Sequence, residues 1–327
     1  MAQNKEIWVY LDCDLCDGNP LLIGVLTCEA VRGREVFSFS CNDQWLQHPD
    51  FRLLDPDLGQ FSGPQYLRDE KANFGLFLDS SPDRWGRLLI KRREAITARM
   101  ENRSKRTLME SDYLLGVFDK NRMGGLRFKL SPDGEFLDND GSLSIPPWAS
   151  LRELEYACAR YEEGIFKSDS EEAKWIRMIF APGSSLGGAR PKANVCDTNG
   201  SLWIAKFPSR NDERDMAAWE MLAYTLAIRC GVHMSDSRLG QFVSRYHTFL
   251  TKRFDRTPEG VRRHFASAMT MLGKTDGTDS ADGASYLDLA EFIITNGADV
   301  DENLHQLWLR MVFNIAISNC DCLLYTS

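Results

Sequence analysis

Short runs of β-branched and aromatic residues dominate the first ~45 positions of the chain. Ile7 to Leu11, Leu21 to Cys28 and Glu35 to Ser40 are separated by Asp17-Gly18-Asn19-Pro20 and Arg32-Gly33-Arg34, a pattern that predicts strands joined by turns. After Ser80-Ser81-Pro82 the pattern predicts a helix, with serine as cap and proline in its first turn, running through Arg84 to about Met100. Residues 131–148 are polar and rich in turn formers, and they mark the best boundary. Beyond them come a helix over Leu151 to Tyr161, a strand over Trp203 to Phe207, and a helix over Glu213 to Cys230 stopped by Gly231. A strand over Thr248 to Thr251 follows. The remainder is helical: Ala266 to Leu272, Tyr286 to Asn296 and Asn303 to Ser318. Strands giving way to helices predict an α+β protein.

Composition narrows this only a little. At 327 residues the chain can hold two domains with separate cores, and 43% apolar with 26% charged residues is ordinary for a globular protein. A net charge of −8 argues against a protein that binds nucleic acid over its whole surface. The start, Met1 to Glu6, lacks a basic region followed by an apolar one, and no apolar run approaches the ~20 residues that span a bilayer. The expected setting is the cytoplasm, with no membrane partner. Nine scattered cysteines fit reduced thiols, and the lone Cys13-Asp14-Leu15-Cys16 reads as a turn rather than a metal site. The most basic stretch is the tail of the first long helix, Lys91-Arg92-Arg93 to Arg106. It reads either as a solvated helix face or as a docking surface for nucleic acid or an acidic partner.

The candidate chemistry lies in three pieces. Gly183, Gly187 and Gly188, with Ser184, Ser185, Leu186 and Ala189, form a small-residue loop whose backbone N–H groups could cradle phosphate, although a structural turn accounts for it equally well. The spacing of Gly183 and Gly188 begins a Walker A motif, but Ala189-Arg190 stands where Lys-Ser/Thr is required, so a P-loop nucleotidase fails at its functional residues. Lys206 is one cation in the apolar run Leu202 to Pro208, on the same strand face as Leu202 and Ile204. A buried cation needs a partner, and Glu220, the only charged residue between Asp215 and Arg229, can supply it. The pair is either a salt bridge of the core or, beside a phosphate loop, the lysine–glutamate pair of a protein-kinase-type ATP site.

Together these segments resemble the HipA family of serine/threonine kinases, the toxin halves of bacterial type II toxin–antitoxin pairs. The resemblance rests on Gly183 to Lys192, Trp203 to Ser209, and Phe249-Leu250-Thr251-Lys252-Arg253-Phe254-Asp255-Arg256, with Phe77 to Leu89 similar to that family's N-terminal subdomain. It runs from about residue 7 to Asp321. It implies a two-lobed protein-kinase-like fold with a β-rich N-terminal subdomain at 1–130, a linker at 131–148, an ATP-binding N-lobe at 149–256, and an incomplete helical C-lobe at 257–327.

It further implies ATP and Mg²⁺ as cofactors, with Ser184 to Ala189 and Lys192 as the nucleotide loop. Ser185 matches the serine that family members autophosphorylate, and a phosphate there would occupy the place of the nucleotide's own. Lys206 would bind phosphates, Glu220 would orient it, and Lys252-Arg253-Phe254 would be the hinge that meets adenine. Asp255 and Arg256 are expected to brace that hinge. Asp321 matches the catalytic aspartate that accepts the substrate hydroxyl's proton. The family continues with a histidine and metal-binding residues, whereas this chain reads Cys322 to Ser327, so no metal ligand is assigned and these six residues are expected not to be family sequence. The implied partners are a HipB-like antitoxin, operator DNA only through that antitoxin, and a protein substrate, for which the family suggests the translation machinery. Two functions follow: a Ser/Thr protein kinase whose activity this form lacks, or a catalytically dead module that joins an antitoxin–operator complex.

Overall fold

In the computed structural model, residues 4–48, 54–67, 71–137, 145–164, 168–180, 190–275, 277–278 and 283–319 are described. The three N-terminal strands form where the sequence places them: β1 (Lys5–Leu11), β2 (Leu21–Val31) and β3 (Arg34–Cys41). Two residues, Arg32 and Gly33, connect β2 to β3 with φ of 51° and 82°. Both central positions of a tight hairpin turn that follows the strands' twist need this left-handed backbone, which is easy for glycine and uncommon for arginine.

After α1 (Asp43–Leu46), β4 (Gln65–Tyr66) adds to β3. Further on, β5 (Leu126–Lys129) adds to β1, giving an antiparallel sheet of order β4-β3-β2-β1-β5. Ile7, Val9 and Leu11 point to one face and meet Leu26, Phe37, Phe39, Phe77 and Phe128 in the first core. Gly24 in β2 is required by that packing, since a Cβ would stand 2.3 Å from the Ser40 carbonyl and 2.4 Å from the Phe39 ring.

Between β4 and β5 lie α2 (Gly75–Asp79), α3 (Arg84–Met100) and α4 (Glu110–Leu115). The expected serine cap of α3 is not the one used. Asp83 is the cap, its Oδ1 accepting from Gly86 N at 2.7 Å, while Ser80 closes α2. A carboxylate serves the first turn better because it also meets the positive end of the helix dipole. α3 turns Trp85, Leu89 and Ile96 away from the first sheet. They enter a second core with α5 (Leu151–Glu163), and α6 (Asp169–Phe180) packs beside α3 and α5.

The other wall of the second core is a sheet of order β6-β7-β9-β8, all antiparallel, made of β6 (Lys192–Cys196), β7 (Leu202–Lys206), β8 (Ser237–Gly240) and β9 (Thr248–Lys252). Between β7 and β8 runs α7 (Met216–Arg229). Its end is a Schellman motif: Gly231, at φ 83°, donates to Ile228 O, and Val232 donates to Ala227 O, each at 3.0 Å. The stop expected at Gly231 is the stop observed. Helices α8 (Ala268–Met271), α9 (Tyr286–Asn296) and α10 (Val300–Ala316) complete the described fold. No helix among the described residues is long and apolar enough to cross a membrane.

Candidate functional site

Strand alternation in β7 sends Trp203 and Ala205 into the second core and leaves Leu202, Ile204 and Lys206 on the opposite, half-exposed face. Lys206 is therefore not the buried cation that its apolar neighbours suggest, because their face is the open one. Its side chain is 35% exposed and ion-paired to Glu220, itself 37% exposed, and its ammonium lies 5.3 Å from the centre of the Phe249 ring on β9. The register sets these contacts, since Lys206 stands opposite Phe249 in β9 and opposite Lys192 in β6. Glu220 comes from the second turn of α7, whose N-cap is Asp215 accepting from Ala218 N at 3.1 Å. The His247 ring nitrogen Nδ1 lies 2.5 Å from an oxygen of the same Asp215, which joins the cap to the start of β9.

The buried cation beside Lys206 is Lys192. Its side chain is 3% exposed, and its ammonium donates to Asp83 Oδ2, an equally buried carboxylate. The Lys192 carbonyl accepts from the Trp85 indole N–H at 3.2 Å, so the first turn of α3 grips both ends of this residue. Burial depresses the Lys192 pKa below the ordinary lysine value. Asp83 acts against that shift, Lys206 adds to it, and Glu220 acts against it. Burial raises the Asp83 carboxyl, with Lys192 and the Gly86 N–H pulling the other way. Lys192, Lys206 and Glu220, three residues singled out in the sequence, are thus neighbours. Asp83 and Trp85 went unassigned there, although both sit in the segment Phe77 to Leu89 that carried the N-terminal resemblance.

The proposed hinge lies three residues along the sheet, where Lys252 pairs with Trp203, about 10 Å from Lys206 at strand rise. Phe254 is exposed, with its ring 5.6 Å from that of Phe265. Arg253 is different: its side chain is fully buried, so only its backbone could meet a ligand. The guanidinium donates to Asp255 at 2.8 and 2.6 Å, to the Asn121 carbonyl at 2.8 Å and to the Arg122 carbonyl at 3.2 Å. Asp255 also accepts from Gly124 N at 2.9 Å and from Arg256 at 2.6 Å. Burial raises the Asp255 pKa, but Arg253 and Arg256 outweigh it and hold the group at about 2. This charged cluster fastens the end of β9 to the loop before β5.

Ser184, Ser185, Leu186, Gly187, Gly188 and Ala189, like Asp321, lie outside the described residues. Arg190, at the position where a P-loop would need its functional pair, is engaged structurally, with two bonds to Asp212 at 3.1 and 2.5 Å and one to the Phe207 carbonyl at 3.0 Å. Along the basic helix, Arg92 and Arg99 pair with Glu172, Arg103 and Arg106 with Glu94, and Arg87 with Glu110. These arginines are ion-paired within the fold, yet the side chains of Arg92, Arg99 and Arg106 remain 42%, 44% and 58% exposed. Among the described residues no group of three or more His, Cys, Asp or Glu could hold a metal ion.

Residues 184–322 match the family model of the HipA-like C-terminal domain. The chain superposes on a chain from the Shewanella oneidensis MR-1 toxin–antitoxin complex of HipA, HipB and operator DNA, with a TM-score of 0.60. The fold is HipA-like. Identity in that superposition is 18%, and it covers 95% of this chain and 70% of that one. No curated protein matches the chain in sequence. The kinase-like α+β architecture expected from the sequence is the one observed, with both sheets antiparallel.

Proposed function

We propose that the chain is the nucleotide-binding part of a HipA-type serine/threonine kinase, a toxin partnered by a HipB-like antitoxin. One observation carries this reading. Lys206 and Glu220 form an ion pair that is open to solvent, on a strand-and-helix frame, with a second lysine opposite across the strands. A core salt bridge would be closed, whereas a phosphate-binding pair must be reachable. The residues present fit ATP. Lys206 would contact phosphate, Glu220 would orient Lys206, the buried charge of Lys192 would add to the field there, and the backbone of 252–254 with the exposed Phe254 ring would meet adenine. ATP, when bound, supplies the phosphoryl group. Asp321 takes the role of accepting the proton from a substrate hydroxyl, and Ser185 that of the autophosphorylated serine. The described residues offer no magnesium ligand set, so no step is assigned to that ion.

The deciding measurement is ATP affinity by calorimetry, followed by phosphoryl transfer to protein serine. Lys206→Ala is expected to weaken ATP about 10- to 100-fold, the cost of one charge-assisted bond to phosphate. ATP binding that survives this change at full strength would sink the reading. The alternative is a catalytically dead module of an antitoxin–operator complex, and absence of both ATP binding and phosphoryl transfer would favour it.

A further inference from the structure

The phosphate end of the proposed site has a contributor from outside the lobe that carries it. Asp83 belongs to the N-terminal half, 109 residues before Lys192, yet its carboxylate does two things at once. Oδ1 caps α3 through Gly86 N, and Oδ2 accepts from the Lys192 ammonium. Two residues on, Trp85 fixes the Lys192 carbonyl. Among the described residues, the charged groups that act on Lys192 are Asp83 at the cap of α3, Lys206 from β7 and Glu220 from α7. Two ammonium groups on adjoining strands repel, and burial adds to the tendency of the enclosed one to lose its proton. A neutral amine on Lys192 would offer phosphate no charge. Among the described residues Asp83 is the carboxylate shown in hydrogen-bond contact with it, while Glu220 bonds to Lys206.

We propose that Asp83 is a positioning residue for nucleotide binding, holding Lys192 charged and in place opposite Lys206. The inference rests on the reading of Lys206 and Glu220 as a nucleotide site. It also makes the N-terminal half part of that site: the rigid first turn of α3, anchored in the second core by Trp85, sets where the second cation stands. A nucleotide arriving at β6 and β7 would touch Lys206, half-exposed and paired to Glu220, and feel the charge of Lys192, which is buried against Asp83.

ATP affinity measured from about pH 7 to pH 9.5 tests this, because lysine loses charge across that window only when its pKa is depressed. Asp83→Asn keeps a good cap oxygen but removes the charge. It is expected to weaken ATP binding about tenfold, with the loss growing more steeply as pH rises than it does in the unmodified protein. A purely structural Asp83 would give no such slope. Lys206→Ala serves as the control for the reading itself. If Lys206→Ala weakens ATP and Asp83→Asn matches the unmodified protein at every pH, the inference is wrong and the nucleotide site stands. If Lys206→Ala has no effect, the site reading fails first. Should Asp83→Asn not fold, NMR of the unmodified protein decides, with the Lys192 side-chain signal assigned by its loss in Lys192→Arg. That signal is expected to move on addition of ATP, and a signal indifferent to bound ATP would overturn the proposal.

Discussion

The two sheets with the helices packed on them and the C-terminal helices α9 and α10 both carry apolar residues, but only the first group buries them. Ile7, Val9, Phe77, Trp85, Trp203 and Phe207 are each at most 2% exposed. Along α9 and α10 no described side chain is buried, and Leu287, Ile294, Trp308 and Ile315 stand 53–78% open. These helices contact each other. α10 also reaches the turn after α7 through Gln306, which accepts from His233 N at 3.0 Å, and through Arg310, which donates to the His233 carbonyl. The lesson is that an amphipathic repeat forms a helix but does not by itself supply the surface that stabilises it. The proposed site lies on the boundary: β6, β7 and β9 belong to the buried region, and Glu220 rides on α7, which exposes Trp219, Leu222 and Leu226.

The sharpest way to break the buried side of this contrast is Asp255→Ala. It leaves Arg253 with a fully enclosed charge and no carboxylate, and a loss of about 3–5 kcal/mol is expected in urea unfolding. A loss below about 1 kcal/mol would mean that the cluster is open to water in solution. Lys192→Met is expected to cost a similar amount by stranding Asp83, and adding Asp83→Asn should recover most of it, because neutral groups need no counter-charge. The same change at Lys206 should cost under about 1 kcal/mol, since that pair is over a third exposed and well screened. Two lysines that face each other across a strand pair would then differ severalfold in stability.

Acid provides a milder test of the same cluster. The Asp255 pKa is lowered from 3.8 to about 2, so its contribution is complete above pH 3.8 and disappears as pH falls toward 2. The difference amounts to about 2 kcal/mol. Asp255→Asn should remove that part of the acid dependence, and an unchanged slope between pH 4 and 2 would contradict the assignment.

Much of this was legible in the sequence because local signals and packing agree. Three N-terminal strands, the stop at Gly231 and the bounds of α9 follow from turn residues and periodicity. The Lys206–Glu220 pair follows from one charge in each of two apolar segments. What was not legible depended on which face of a strand is covered. Leu202 and Ile204 made the Lys206 face look internal, but Trp203, Ala205 and Phe207 fill the core, and alternation alone carries no label for inside. Lys192 was likewise read as loop, and its burial comes from a helix more than 90 residues earlier in the chain. The fully enclosed Arg253 side chain belongs to the same class, because its partners at Asn121 and Arg122 are visible only in three dimensions.

The smallest effect on stability should come from the open side of the comparison, and it separates exposure from mere helix content. Leu287→Ser and Ile315→Ser change two of the most exposed apolar residues of α9 and α10 and are expected to shift global stability by no more than about 0.5 kcal/mol, as surface changes do. Their larger consequence should be in solubility, since contiguous open apolar surface drives association. Light scattering on warming should show later aggregation for the double variant. Amide exchange in α9 and α10 should be far faster than in β1 to β3 in either protein, because few buried contacts oppose local opening. If the two substitutions instead destabilise by more than about 2 kcal/mol, these side chains are covered in solution and the contrast between the two regions fails.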